Sequence, residues 1–186
     1  LAWNKHFMWD GAVNHIDVQA LAPITHPSEM GESLENVILK LNQHHLYPKL
    51  FKETFGKETI TSKQVLKALA QFQLTLISAN SKYDKVKRKE ETFTKQEKTG
   101  YKLFKKNCAS CHSEPLFTTG NFENNGLPID SYLQDRGRGQ ITQLQTDNFK
   151  FKIPTLRNIE FSFPYMHDGR FKSIREVLDH YSSNIS

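Results

Sequence analysis

The chain has 186 residues, 37% of them hydrophobic and 24% charged, with 13 Phe, enough apolar material for one mid-sized core or two small ones and too balanced a composition for intrinsic disorder. No apolar run approaches the roughly 18 residues of a membrane span, and no signal-type hydrophobic region opens the chain. The net charge of +5 suits an acidic partner protein rather than nucleic acid, because the densest basic run, Lys85-Val86-Lys87-Arg88-Lys89, meets Glu90 and Glu91 at once, carries no interleaved aromatics and reads as a solvated linker.

In chain order, residues 1–31 read as irregular, punctuated by Asp10-Gly11, Pro23, Pro27 and Gly31. Trp3, Phe7, Met8 and Trp9 crowd this terminus, and such apolar density is expected to pack on chain upstream of Leu1. Ser33 reads as an N-cap for a helix carrying Leu34, Val37, Ile38 and Leu41. A shorter helix holds Leu50, Phe51 and Phe55 and stops at Gly56. Thr61 with Gln64 forms a capping box for a third helix running through Val65, Leu66, Leu69, Phe72, Leu76 and Ile77.

The polar stretch from Asn80 to Thr92 marks a domain boundary, giving expected domains 1–85 and 86–186. Thr94 with Glu97 opens a helix bearing Tyr101, Leu103 and Phe104 towards Cys108. About fifty irregular residues follow His112, a length that is normally functional or disordered and that a large cofactor could order. Ser173 with Glu176 opens a last helix with Ile174, Val177, Leu178 and Tyr181.

The only two cysteines lie in Cys108-Ala109-Ser110-Cys111-His112. Thiols at this spacing can each add to a haem vinyl group, and the adjacent imidazole then falls beneath the iron as proximal ligand. A thioredoxin-like disulfide is disfavoured because no strand precedes Cys108. Zinc is disfavoured because four ligands are needed and a single Cys pair exists. Met166, His167, His180 and Tyr181 are the candidates for the opposite face of the iron; spacing alone does not choose among them, and Tyr181 reads equally as core on one helix face. His6, His15, His26, His44 and His45 lack ligand-spaced partners and read as surface residues.

Ile153-Pro154-Thr155-Leu156-Arg157-Asn158 and Pro164-Tyr165-Met166-His167-Asp168-Gly169, with Trp9-Asp10-Gly11, Gln19 and Glu29-Met30-Gly31 upstream, resemble the bacterial di-haem cytochrome c peroxidase family, including its MauG-like branch. The resemblance implies a mainly α fold: a cytochrome-c-like helical haem domain plus the helical remainder of a second such domain, with long irregular loops. It implies haem c, one in this chain and two in a full protein whose first haem motif would lie upstream of Leu1 and whose last helices would lie beyond Ser186.

Position by position, the resemblance makes Cys108 and Cys111 the thioether anchors and His112 the proximal ligand. The family's distal ligand lies fourteen residues after His167, at Tyr181; Tyr rather than Met there points to the MauG-like branch and leaves Met166 as packing. Gln19 and Glu29 match the peroxide pocket of the first haem, with the carboxylate as general acid–base. Trp9 matches an inter-haem tryptophan, or is simply a core aromatic. The Ser162 and Pro164 carbonyls match part of a calcium site. Arg157 pairs with a haem propionate, or else forms a structural salt bridge.

The implied function is a periplasmic peroxidase reducing hydrogen peroxide with electrons from a small donor protein or an oxidised protein substrate, without nucleic acid or membrane span, a homodimer being one assembly open to it. The alternative is a non-catalytic single-haem electron-transfer cytochrome.

Overall fold

The computed structural model describes residues 3–57 and 59–183. The chain divides into two compact units: residues 1–7 with 13–77, and residues 8–12 with 78–186. The fold is mainly α, as the sequence implied.

The first unit contains α1 (Ile16–Gln19), α2 (Leu21–Thr25), α3 (Leu34–Gln43), α4 (Tyr47–Phe55) and α5 (Ser62–Thr75). The capping expected from sequence is present. Ser33 accepts from the Asn36 N–H, Gly56 closes α4 at φ 76°, and the Thr61 N–H donates to Gln64 Oε1 at 2.9 Å. The positive φ at Gly56 is one that a Cβ would strain. Phe51, Ile60 and Val65 form the core, packed by Val37, Ile38, Leu41, Phe55, Ala68 and Leu69. Two expectations change here. The irregular start contains α1, capped by His15, and α2; Pro23 is tolerated because it sits in the first turn of α2, where no backbone donor is needed. Helix α5 ends at Thr75, leaving Leu76 and Ile77 exposed.

The second unit contains α6 (Lys82–Lys87), α7 (Lys95–Asn107), β1 (Phe122–Glu123), α8 (Arg138–Thr142), β2 (Phe151–Lys152) and α9 (Ile174–Ser183), with single 3-10 turns at Gln145–Asp147 and Ile159–Phe161. The basic run is not a solvated linker. Ser81 and Asp84 form a capping box that starts α6, and its charges are paired: Lys82 with Glu97, Lys85 with Glu91, Arg88 with Glu90. The Ser-x-x-Asp signal was in the sequence, hidden inside a polar stretch.

Backbone pairing orders the long segment after His112. Strands β1 and β2 are antiparallel, with Phe122 opposite Lys152 and Glu123 opposite Phe151. Residues 8–12 dock here too. The Lys152 N–H donates to the Trp9 carbonyl at 2.7 Å, and the Arg138 guanidinium donates to the carbonyls of Asp10 and Gly11. At Gly11, φ is +74° and an added Cβ would sit 2.4 Å from the Phe122 ring, so the Asp10-Gly11 turn requires glycine there. Among the described residues of this unit, Phe151 and Ile153 are the only buried large apolar side chains. That is little for a unit of more than a hundred residues, and a large apolar group is what such an interior can accommodate.

Candidate haem centre

Helix α7 delivers the Cys108-Ala109-Ser110-Cys111-His112 motif. Its capping box, Thr94 with Glu97, fixes the start, and Cys108 is its C-cap, with its N–H bonded to the Phe104 carbonyl. The His112 N–H then closes a turn onto the Cys108 carbonyl at 2.9 Å. Cys108 and Cys111 are free thiols, half-buried and exposed respectively. Burial, and then the neighbouring Cys111, push the Cys108 thiol above its ordinary pKa.

The His112 side chain is held by two backbone oxygens. Its Nδ1 lies 3.1 Å from the Phe117 carbonyl and 3.1 Å from the Pro154 carbonyl. Both oxygens can only accept, so Nδ1 carries the proton and Nε2 keeps its lone pair. This is the arrangement that prepares an imidazole to bind a metal through Nε2. The residues preceding these two carbonyls are fixed in turn. The Thr118 hydroxyl donates to the Ile153 carbonyl at 2.6 Å, and the Thr155 hydroxyl donates to the Leu116 carbonyl at 2.6 Å. Thus the Ile153-Pro154-Thr155 segment is tied to the loop after the motif and forms its supporting wall. Two thiols beside a pre-aimed imidazole fit a covalently attached haem.

Tyr181 lies on α9, half-exposed. Burial raises its phenol pKa; a hydrogen bond with Asn125 lowers it, and the Cys111 and Cys108 sulfurs raise it electrostatically. The structure therefore brings Tyr181 within electrostatic reach of Cys108 and Cys111. Asn125 is the residue that sequence reasoning missed, since Asn124-Asn125-Gly126 read only as a turn. Its carbonyl accepts from His180 Nε2 at 2.9 Å, and its Nδ2 lies 3.5 Å from Met166 Sδ. One Asn thus contacts three of the four sixth-ligand candidates. His180 is buried by these contacts.

The fourth candidate, His167, stacks on Phe151 at a centroid distance of 3.6 Å. Burial pushes its pKa below the ordinary histidine value, against the opposing charges of Asp168 and Asp135. Its Nδ1 is buried without a hydrogen-bond partner among the described residues. Asp168 is engaged instead with Arg170, which forks onto Asp168 Oδ2 and reaches the Pro128 carbonyl.

Arg157 forms the structural ion pair. Its guanidinium grips Asp84 at 2.8 and 2.9 Å and donates to the carbonyls of Ser78 and Pro115. Asp84 is held well below the usual carboxylate range, mainly by Arg157 and against the cost of burial. Lys152 is a further basic residue of this unit. It is half-buried, its pKa is lowered by burial, and it has no ion-pair partner among the described residues.

Trp9 is 40% exposed and belongs to the second unit through Lys152. Ser162 ends the 3-10 turn at Ile159–Phe161, and Pro164 follows two residues on. In the first unit, Gln19 ends α1 and accepts from Gln73 Nε2 at 2.7 Å. Glu29 is exposed in the turn after α2, its N–H bonded to the His26 carbonyl. Among the described residues no group of three or more His, Cys, Asp or Glu is arranged to hold a metal ion, and no helix is long and apolar enough to cross a membrane.

The family model described as di-haem cytochrome c peroxidase matches residues 1–92. Methylamine utilization protein MauG of Methylophilus methylotrophus is 36% identical over 98% of this chain and 55% of its own length. Cytochrome c551 peroxidase of Nitrosomonas europaea is 34% identical over 92% of this chain and 52% of its own. The crystal structure of a MauG-like protein associated with microbial copper homeostasis superposes with a TM-score of 0.85 at 28% identity, covering 98% of this chain and 60% of that one. The chain spans about half the length of the curated relatives it matches. The chain belongs to the di-haem cytochrome c peroxidase family, with MauG among its relatives.

Proposed function

We propose that this chain is part of a periplasmic di-haem c-type peroxidase that reduces hydrogen peroxide with electrons from a small redox protein or a protein substrate. The observation that carries this reading is His112 Nδ1 held between the Phe117 and Pro154 carbonyls, beside two free thiols. Covalently bound haem c supplies one-electron redox chemistry at this centre. Cys108 and Cys111 would anchor it, and the His112 imidazole and the Tyr181 phenol would bind its iron. Tyr181 keeps its phenol near the motif through Asn125.

In the same reading Gln19 and Glu29 line the peroxide pocket of the other haem, and the Glu29 carboxylate takes a proton from bound peroxide and returns it to the leaving oxygen. Trp9 lies on the route between haems, and the Ser162 and Pro164 carbonyls contribute to a calcium site. Arg157 instead positions α6 against the loop after His112, through Asp84 and Pro115. Lys152 has the charge and burial to hold a propionate.

The test is a pyridine haemochrome count on the full-length protein, followed by peroxide addition to the reduced form. Two haems per chain and rapid oxidation are expected. One haem, six-coordinate and inert to peroxide, would overturn the reading in favour of an electron-transfer cytochrome.

A further inference from the structure

Beside the haem motif, two tyrosines and a lysine converge on one carboxylate. The Tyr101 hydroxyl donates to Glu114 Oε1 at 2.7 Å, and the Tyr83 hydroxyl is hydrogen-bonded to the same side chain. The Lys87 ammonium donates to the Tyr101 oxygen at 2.8 Å and lies 3.3 Å from Glu114 Oε1. Burial, reinforced by Glu114, pushes the Tyr83 phenol far above its ordinary pKa, so it is a neutral O–H.

The rings are in line. Phe117, whose carbonyl holds His112 Nδ1, packs edge-on against Tyr83 at 4.7 Å and against Phe104 at 5.5 Å. Tyr83 is 6.2 Å from Tyr101, and Tyr101 is 5.4 Å from Phe93. An unbroken series of aromatic contacts therefore runs from the imidazole support to a pair of hydrogen-bonded phenols.

This pairing of phenol and base has a redox consequence. The Lys87 and Lys105 ammonium groups sit over the Tyr101 ring at 5.2 and 5.8 Å. A ring that lost an electron but kept its proton would be a cation facing two cations, an arrangement that electrostatics penalises. Transfer of the proton to Glu114 removes that penalty. Phe117 has no proton to give and serves only as contact.

We propose that Tyr83 and Tyr101, with Glu114 as shared proton acceptor, form a redox relay that feeds single electrons to the haem site at Cys108–His112. The proposal rests on the haem reading above and adds the route of electron entry. In each step Tyr101 gives one electron towards the haem through Tyr83 and Phe117, and its O–H proton passes to the Glu114 carboxylate, leaving a neutral phenoxyl radical. A reduced one-electron donor protein returns the electron and Glu114 returns the proton. Two such steps, with two protons from solvent, convert one hydrogen peroxide to two waters.

The test uses the full-length holoprotein frozen after peroxide addition. The expected result is a phenoxyl electron paramagnetic resonance signal that narrows when the tyrosine rings are deuterated. The signal is lost in the Tyr83→Phe/Tyr101→Phe double variant, which keeps the parent ferric absorption spectrum. A second arm needs no peroxide: a flash-generated ruthenium(III) oxidant acting on the ferrous protein should form phenoxyl that is refilled as the iron becomes ferric, and Tyr83→Phe should slow that refilling. A peroxide-induced colour change without phenoxyl, or phenoxyl surviving in the double variant, overturns the relay and leaves the peroxidase reading standing. No colour change with peroxide, but flash-formed phenoxyl refilled from the iron, overturns the peroxidase reading and supports the relay.

Discussion

His112 Nδ1 lies 3.1 Å from the carbonyl oxygen of Pro154, forty-two residues further along the chain. That contact fixes which ring nitrogen is free, and it explains why the Ile153-Pro154-Thr155 segment accompanies the attachment motif. His112→Gly in the full-length protein should leave haem bound through Cys108 and Cys111 yet change its ferric absorption spectrum, and added imidazole should restore it. A variant with the parent spectrum would place the iron's nitrogen ligand elsewhere.

Where local chemistry decided the outcome, the sequence was readable. The capping boxes at Thr61, Thr94 and Ser173 each start a helix, because a side-chain oxygen three residues from its partner satisfies backbone donors whatever the tertiary context. What escaped depends on contacts distant in sequence. Asn125 looked like a turn residue, and only folding brings it to Met166, His180 and Tyr181. The two-residue strands β1 and β2 carry no period of their own and exist because their partners are fixed by other bonds. Arg157 could serve a haem propionate or a protein carboxylate, and only folding brings it to Asp84, seventy-three residues upstream.

Tyr181 and Met166 both touch Asn125, and substitution separates their roles. Tyr181→Phe removes the only oxygen of that side chain and should alter the ferric spectrum of the holoprotein. Met166→Leu keeps the volume and should leave the spectrum as in the parent. The reverse pattern would make the thioether the ligand and the tyrosine a packing residue.

The Asp84–Arg157 pair is mostly buried, at 11% and 14% side-chain exposure, so removing one partner strands a charge rather than merely losing a surface contact. Asp84→Asn should cost about 3 kcal/mol at pH 7, read as a lower urea midpoint. Because Arg157 depresses the folded-state pKa of Asp84, its contribution is fully present above the unfolded value of about 4. It is lost as pH falls through the folded value. The stability gap between the parent and Asp84→Asn should therefore narrow in acid; a constant gap would mean that the pair is not ionised in the folded protein.

His167 titrates in a different window. Burial keeps its imidazole neutral in the folded state, whereas the unfolded chain takes up a proton below about pH 6.5. Stability should be flat above pH 7 and fall as pH drops from about 6.5 towards the depressed folded value, with a limiting slope of about 1.4 kcal/mol per pH unit for this one proton. Carboxylate partners such as Asp84 are ionised in both states across this range, so they do not contribute to the slope. His167→Leu removes the proton uptake while keeping an apolar group against Phe151. Urea melts of the variant should show a shallower fall between pH 6.5 and 5 than the parent, even if its stability at pH 8 is lower. An unchanged slope would mean that the stacked imidazole accepts a proton as readily in the folded protein as in the open chain, against the burial that Phe151 imposes.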